Sequence, residues 1–181
     1  GEGTASRVTV DGNARPSRTT EAKTMLFSNP PDHTRLRGLV SRAFTPRRVE
    51  QLRPEIVEMA DQLLDALGGG GDFVGGLAYP LPANVISAMV GVPVEQRDWL
   101  RSLITDLVPM IEPTATAEDM EKASVAGAEA AAYLRDLMTE RRADPQDDML
   151  SALIEAHDGE DRLSEEEVIS NVFLIYAAVS Y

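Results

Sequence analysis

At 181 residues without a cysteine, the chain excludes disulfides, thiolate metal sites and a cysteine nucleophile from within itself. Hydrophobic residues at 43% and charged residues at 26% suit a globular domain with a proper core, and no run of 18 apolar residues could span a membrane. The formal charge of −13 is uneven, with ten Arg/Lys against five Asp/Glu in residues 1–53 and seven against twenty-five thereafter, and this acidic bulk with 5% aromatics argues against nucleic-acid binding.

Residues 1–24, rich in Gly, Ser, Thr, Arg and Asn, read as an irregular segment with a short strand at Arg7–Val10. The polar start Gly1–Arg7 has no apolar leader, so the expected location is cytoplasmic. From Asp32, Leu36, Leu39, Val40 and Ala43 recur at helical intervals. Thr45-Pro46 starts a second helix, with threonine as N-cap and proline at the first position. Val49, Leu52, Ile56, Met59, Ala60, Leu63, Leu64 and Leu67 then form one apolar stripe, which Pro54 divides into a short and a longer helix.

Gly68–Gly71 stops that helix, and no Lys-Ser/Thr follows to make it a phosphate loop. Asp72–Tyr79 reads as a connection, Pro82 opens a buried helix closed by Gly91, and Pro93 starts another running through Leu107. A loop at Glu112–Thr116 precedes a long alanine-rich helix from Ala117 to about Arg142. Asp144-Pro145 breaks it, Met149–His157 is a short helix, and Asp158–Asp161 is a turn. Ser164 and Glu167 make a capping box that launches a final apolar helix. The predicted fold is mainly α, with 25–181 as one helical unit.

His33 and Arg37 lie four residues apart, on one face of a helix, where two donors suit a carboxylate. From spacing alone, a helix-start histidine and a solvated arginine are the commoner outcome. Asp147-Asp148 and Glu165–Glu167 fall in first turns, where negative charge favours the helix dipole without any catalytic role. His157, at an expected helix end beside Asp158, reads as structural. Met89, Trp99, Met110 and Met138 read as core, and no metal or nucleophile–base constellation emerges from two distant histidines.

The run NPPDHTRLRGLVSRAFTPRRVEQLRP resembles the helix-C region of bacterial cytochromes P450. Ala78-Tyr79-Pro80-Leu81-Pro82 with Gly91-Val92-Pro93 resembles the helix-E segment of that family. Asp147–Ile154 resembles helix H, and Leu163–Leu174 the start of the long helix I. The resemblance covers Met25 to Tyr181 and implies a partial P450-like helical fold, lacking the N-terminal β region and the C-terminal haem-ligand half.

By that resemblance His33 and Arg37 would hold haem propionates, while Arg35, Arg42, Arg47 and Arg48 would form a docking surface for an acidic, ferredoxin-like redox partner. The alternative for these four is a solvated basic face. At the helix-I end, depending on register, Ser180 or Tyr181 stands at the family's variable or acidic position, as a polar substitute or as a plain helix-end residue. Trp99–Pro113 corresponds to a substrate lid.

The implied function is that of a truncated or partial monooxygenase of secondary metabolism, acting on a small organic substrate and unable to form a haem–thiolate site from this chain alone. The alternative is a non-redox homologue: an auxiliary partner of another biosynthetic protein, a small-molecule binder or a cofactor-free cyclase. In either case, exposed apolar helix faces would favour self-association or a partner.

Overall fold

A computed structural model describes residues 24–111, 114–158 and 161–178. The strand expected at Arg7–Val10, together with Ser180 and Tyr181, lies outside the described residues. Helices α1 (Asp32–Ala43), α2 (Pro46–Gln51), α3 (Arg53–Leu67), α4 (Pro80–Val90), α5 (Val94–Thr105), α6 (Ala117–Ala143), α7 (Met149–Glu155) and α8 (Glu165–Ala177) carry the fold. Two 3-10 turns, Met25–Phe27 and Val108–Ile111, a π turn at Val74–Ala78, and a short antiparallel ribbon of β1 (His157–Asp158) with β2 (Asp161–Arg162) accompany them.

The helix boundaries follow from local chemistry. The Thr45 hydroxyl accepts from the Arg48 N–H to open α2, and Leu52 is the joint at which Pro54 restarts the helix as α3. Gly68 ends α3 in the left-handed region at φ 58°, a conformation costly for any residue with a side chain. Thr116 with Asp119 and Ser164 with Glu167 form complete capping boxes at α6 and α8.

Three expectations change. Asp72–Tyr79 is not a plain connection: Val74–Ala78 winds as a π turn, with the Tyr79 N–H donating to the Val74 carbonyl, and runs into α4 two residues before Pro82. Helix α7 ends at Glu155, because His157 is drawn into the extended pair with Arg162. Trp99 and Met110 are not core residues. Trp99 is 38% exposed and meets Tyr133 edge-on with ring centroids 5.2 Å apart, while Met110 is 51% exposed in the turn joining α5 to α6. Met89 and Met138 are buried as expected.

One core joins α1 to α4–α8. Val90, Leu100, Leu134, Leu150, Leu153 and Val172 are sealed from solvent, each worth about 1.5–3 kcal/mol of burial. Along α6 the buried stripe changes from Ala123, Ala126 and Ala130 to Leu134, Leu137 and Met138. Close approach by neighbouring helices therefore gives way to space-filling packing along its length. The Tyr176 hydroxyl donates to Ser87 Oγ at 3.0 Å, which in turn donates to the Ala83 carbonyl, tying α8 to α4 inside the core. The stripe on α3 is mostly shallow: only Met59 is buried and Leu64 is exposed, as are Val57 outside the stripe and Phe73 and Val74 after the helix.

Among the described residues no single helix is long and apolar enough to cross a membrane.

Candidate functional site

Helix α1 carries the residues of interest and owes its start to Asn29–Asp32. The Asn29 and Pro31 carbonyls accept from the His33 and Arg35 N–H groups at 3.0 and 3.1 Å, and Asp32 lies in the first turn, where its charge favours the dipole. Leu36, Leu39, Val40 and Ala43 are its buried residues. At about 100° per residue these four form one stripe, His33 and Arg37 flank it within about 40° of each other, and Arg35 and Arg42 flank it on the opposite side.

The two flanks differ in what holds them. His33 is half-buried and Arg37 exposed, and neither side chain has a hydrogen bond or ion pair to another described residue. The Arg35 guanidinium is engaged on both of its forks. One nitrogen donates to Glu167 Oε1 on α8 and the other to the Arg162 carbonyl on β2 at 3.4 Å. This pairing raises the pKa of Arg35 against the effect of burial. Burial pushes the Glu167 carboxyl up, but bonds from Arg35 and Ser164 outweigh it and hold the group below the ordinary carboxylate range.

The other predicted arginines divide in the same way. Arg48 donates from Nη1 to the Ala43 carbonyl at 3.0 Å and places Nε 3.8 Å from Asp147 Oδ1, so it closes the end of α1 as well as carrying charge. Arg47 is exposed at the start of α2. Arg42 and Arg48 line an open groove of about 320 Å³ with Gln146, Ser151 and Glu155. His33 and Arg37 lie outside that groove.

Sequence reasoning missed a second polar centre. Arg141 on α6 donates from Nε to Asp148 Oδ2 at 2.5 Å and from Nη2 to the Gly91 carbonyl at 2.8 Å, while Asp148 Oδ1 accepts from the Ser151 N–H. It pins three helix ends together. Asp148 was legible as a first-turn acid, but nothing local pointed to Arg141 or Gly91. Tyr133 is a second omission: its buried hydroxyl finds no partner among the described residues, and burial pushes its pKa up to about 12. Among the described residues no group of three or more His, Asp or Glu could hold a metal ion.

No family model matches the chain. Over 156 residues the chain is 49% identical to cytochrome P450 107B1 of Saccharopolyspora erythraea, a match covering 85% of this chain and 37% of that protein. It is 43% identical over 150 residues to nocardicin C N-oxygenase of Nocardia uniformis, covering 81% and 36%. Among solved structures it superposes on P450BioI, captured with an acyl carrier protein ligated to hexadec-9Z-enoic acid, with a TM-score of 0.78 and 36% identity over 87% of this chain and 41% of that one. The chain spans about 37% of the length of the curated relatives it matches.

Proposed function

Because the chain belongs to the bacterial cytochrome P450 family along the stretch it shares with these relatives, we propose that it forms the helix-C-to-helix-I part of a P450-type monooxygenase of secondary metabolism, acting on a small organic substrate. In this reading His33 and Arg37 hold the haem propionates. The supporting observation is a contrast in how the basic residues are held: Arg35 and Arg48 are tied to groups of the protein, whereas the same-face pair His33 and Arg37 presents donors with no acceptor among the described residues. That donor set fits a carboxylate, since an imidazole N–H and a guanidinium fork both donate and neither accepts when charged. It does not fit the iron, because no cysteine occurs in the 181 residues.

Haem bound through a thiolate supplies the electron push that favours O–O cleavage. In this reading the chain would fix the carboxylate end of the group through His33 and Arg37, and the Tyr176–Ser87 bond fastens α8 to α4.

The test is a haemin titration of the 181-residue chain. Arg37→Ala and His33→Ala should each weaken binding by about tenfold, near 1.4 kcal/mol for one charge-assisted hydrogen bond. The reduced carbonyl complex should lack the thiolate-type red-shifted Soret band. An unchanged titration in Arg37→Ala would sink the propionate role, and a thiolate-type band from this polypeptide would overturn the reading of the iron site.

The exposed cation Arg47, with Arg42 and Arg48 beside it, is the proposed docking corner for an acidic redox partner. Complementary surface charge acts chiefly on association rate. Arg47→Glu should therefore slow association with a ferredoxin by about tenfold at low ionic strength, the difference shrinking toward physiological salt. A salt-independent rate measured by stopped flow would contradict the assignment.

A further inference from the structure

We propose that Arg35 is a positioning residue that sets the roll of α1 about its own axis and thereby the direction in which His33 and Arg37 face. This inference rests on the reading of those two residues as carboxylate donors. On α1 the buried stripe of Leu36, Leu39, Val40 and Ala43 lies between two polar flanks, and Arg35 sits on the flank opposite His33 and Arg37. The apolar stripe packs α1 against α7 and the Met25–Phe27 turn. Apolar contact is non-directional, so it tolerates rotation of a helix far better than a hydrogen bond does.

The Arg35 fork supplies direction. Its two nitrogens reach acceptors on different elements, Glu167 on α8 and the Arg162 carbonyl on β2. A planar guanidinium held at two points admits little rotation of the helix that bears it. The Glu167 carboxylate is itself fixed, because its second oxygen accepts from the Ser164 N–H at 2.8 Å as part of the capping box of α8. Loss of the fork frees α1 to roll. His33 and Arg37 then sweep together away from a common ligand.

The absence of cysteine allows the roll to be measured directly. Gly38 on α1 is exposed and an added Cβ would meet nothing within 4 Å, and Asp136 on α6 is exposed, so Gly38→Cys with Asp136→Cys accepts a nitroxide pair. Pulsed electron–electron distance measurements on this pair should give a narrow distribution with Arg35 present. The distribution should widen in Arg35→Lys, which offers one point charge in place of a fork, and widen further in Arg35→Gln. Equal widths in the doubly labelled chain and in its folded Arg35 variants would overturn the proposal. Arg35→Lys decides the matter alone if Arg35→Gln loses its helical circular dichroism.

A haemin titration of the same chains should show Arg35→Gln weakened by about tenfold through lost preorganisation. If the chain with Arg35 intact binds no haemin while the distances behave as described, the propionate reading fails and the roll assignment stands.

Discussion

Asp148→Ala will destabilise the chain by about 3–5 kcal/mol, the range for removing one partner of a buried ion pair. The carboxylate has two separate roles. Oδ2 accepts from the Nε–H of Arg141, whose side chain is only 15% exposed, and Oδ1 accepts from the Ser151 N–H as the N-cap of α7. Truncation leaves the guanidinium in place with the Gly91 carbonyl at 2.8 Å as its remaining acceptor. The lost cap alone is worth about 1 kcal/mol.

Gly91→Ala tests the same junction from the other side. At φ +95° a side chain is strained, and the new Cβ would stand 2.1 Å from Asp148 Oδ2. Urea denaturation followed by circular dichroism should show a lower midpoint for both variants. A shift below about 1 kcal/mol in Asp148→Ala would show that the junction is not a stabilising one.

Glu167→Ala should cost about 2–4 kcal/mol, combining a charged hydrogen bond with a capping contribution. Glu167 bonds to Arg35 across the α1–α8 junction and closes the Ser164 capping box with its other oxygen. The effect depends on pH in a definite sense. Its folded pKa lies below the ordinary value, since bonds from Arg35 and Ser164 outweigh burial. The stabilisation is therefore present above the unfolded carboxylate pKa of about 4.3 and is lost as pH falls through the lower folded value. The stability gap between the native chain and Glu167→Ala should be full at pH 7 and shrink through the acid range. A gap independent of pH would show that the carboxylate is not held as a charge.

The elements set by local chemistry are legible in the sequence. Thr45-Pro46, Pro54, Gly68, Gly91 and Ser164 with Glu167 each act within a few residues of themselves, and each punctuates the chain where expected. The failures have local causes of another kind. Asp72–Tyr79 reads as a connection because the π turn it contains leaves no 3.6-residue pattern. Trp99 and Met110 fit an apolar pattern, yet α5 buries only the face of Leu100 and Ile104, and residues 106–110 after it are all partly or fully exposed.

The candidate site divides along the same line. That His33 and Arg37 share a face is fixed by a spacing of four in a helix, which the sequence by itself determined together with the helical class, the kinship of the chain and the absence of a cysteine ligand. Only the tertiary structure decided which arginines have protein partners. Arg35 and Glu167 are 132 residues apart in the chain, and Arg141 reaches a glycine carbonyl 50 residues away. No periodicity records such pairs, because they depend on how α1, α4, α6 and α8 are placed by the packing of the core between them.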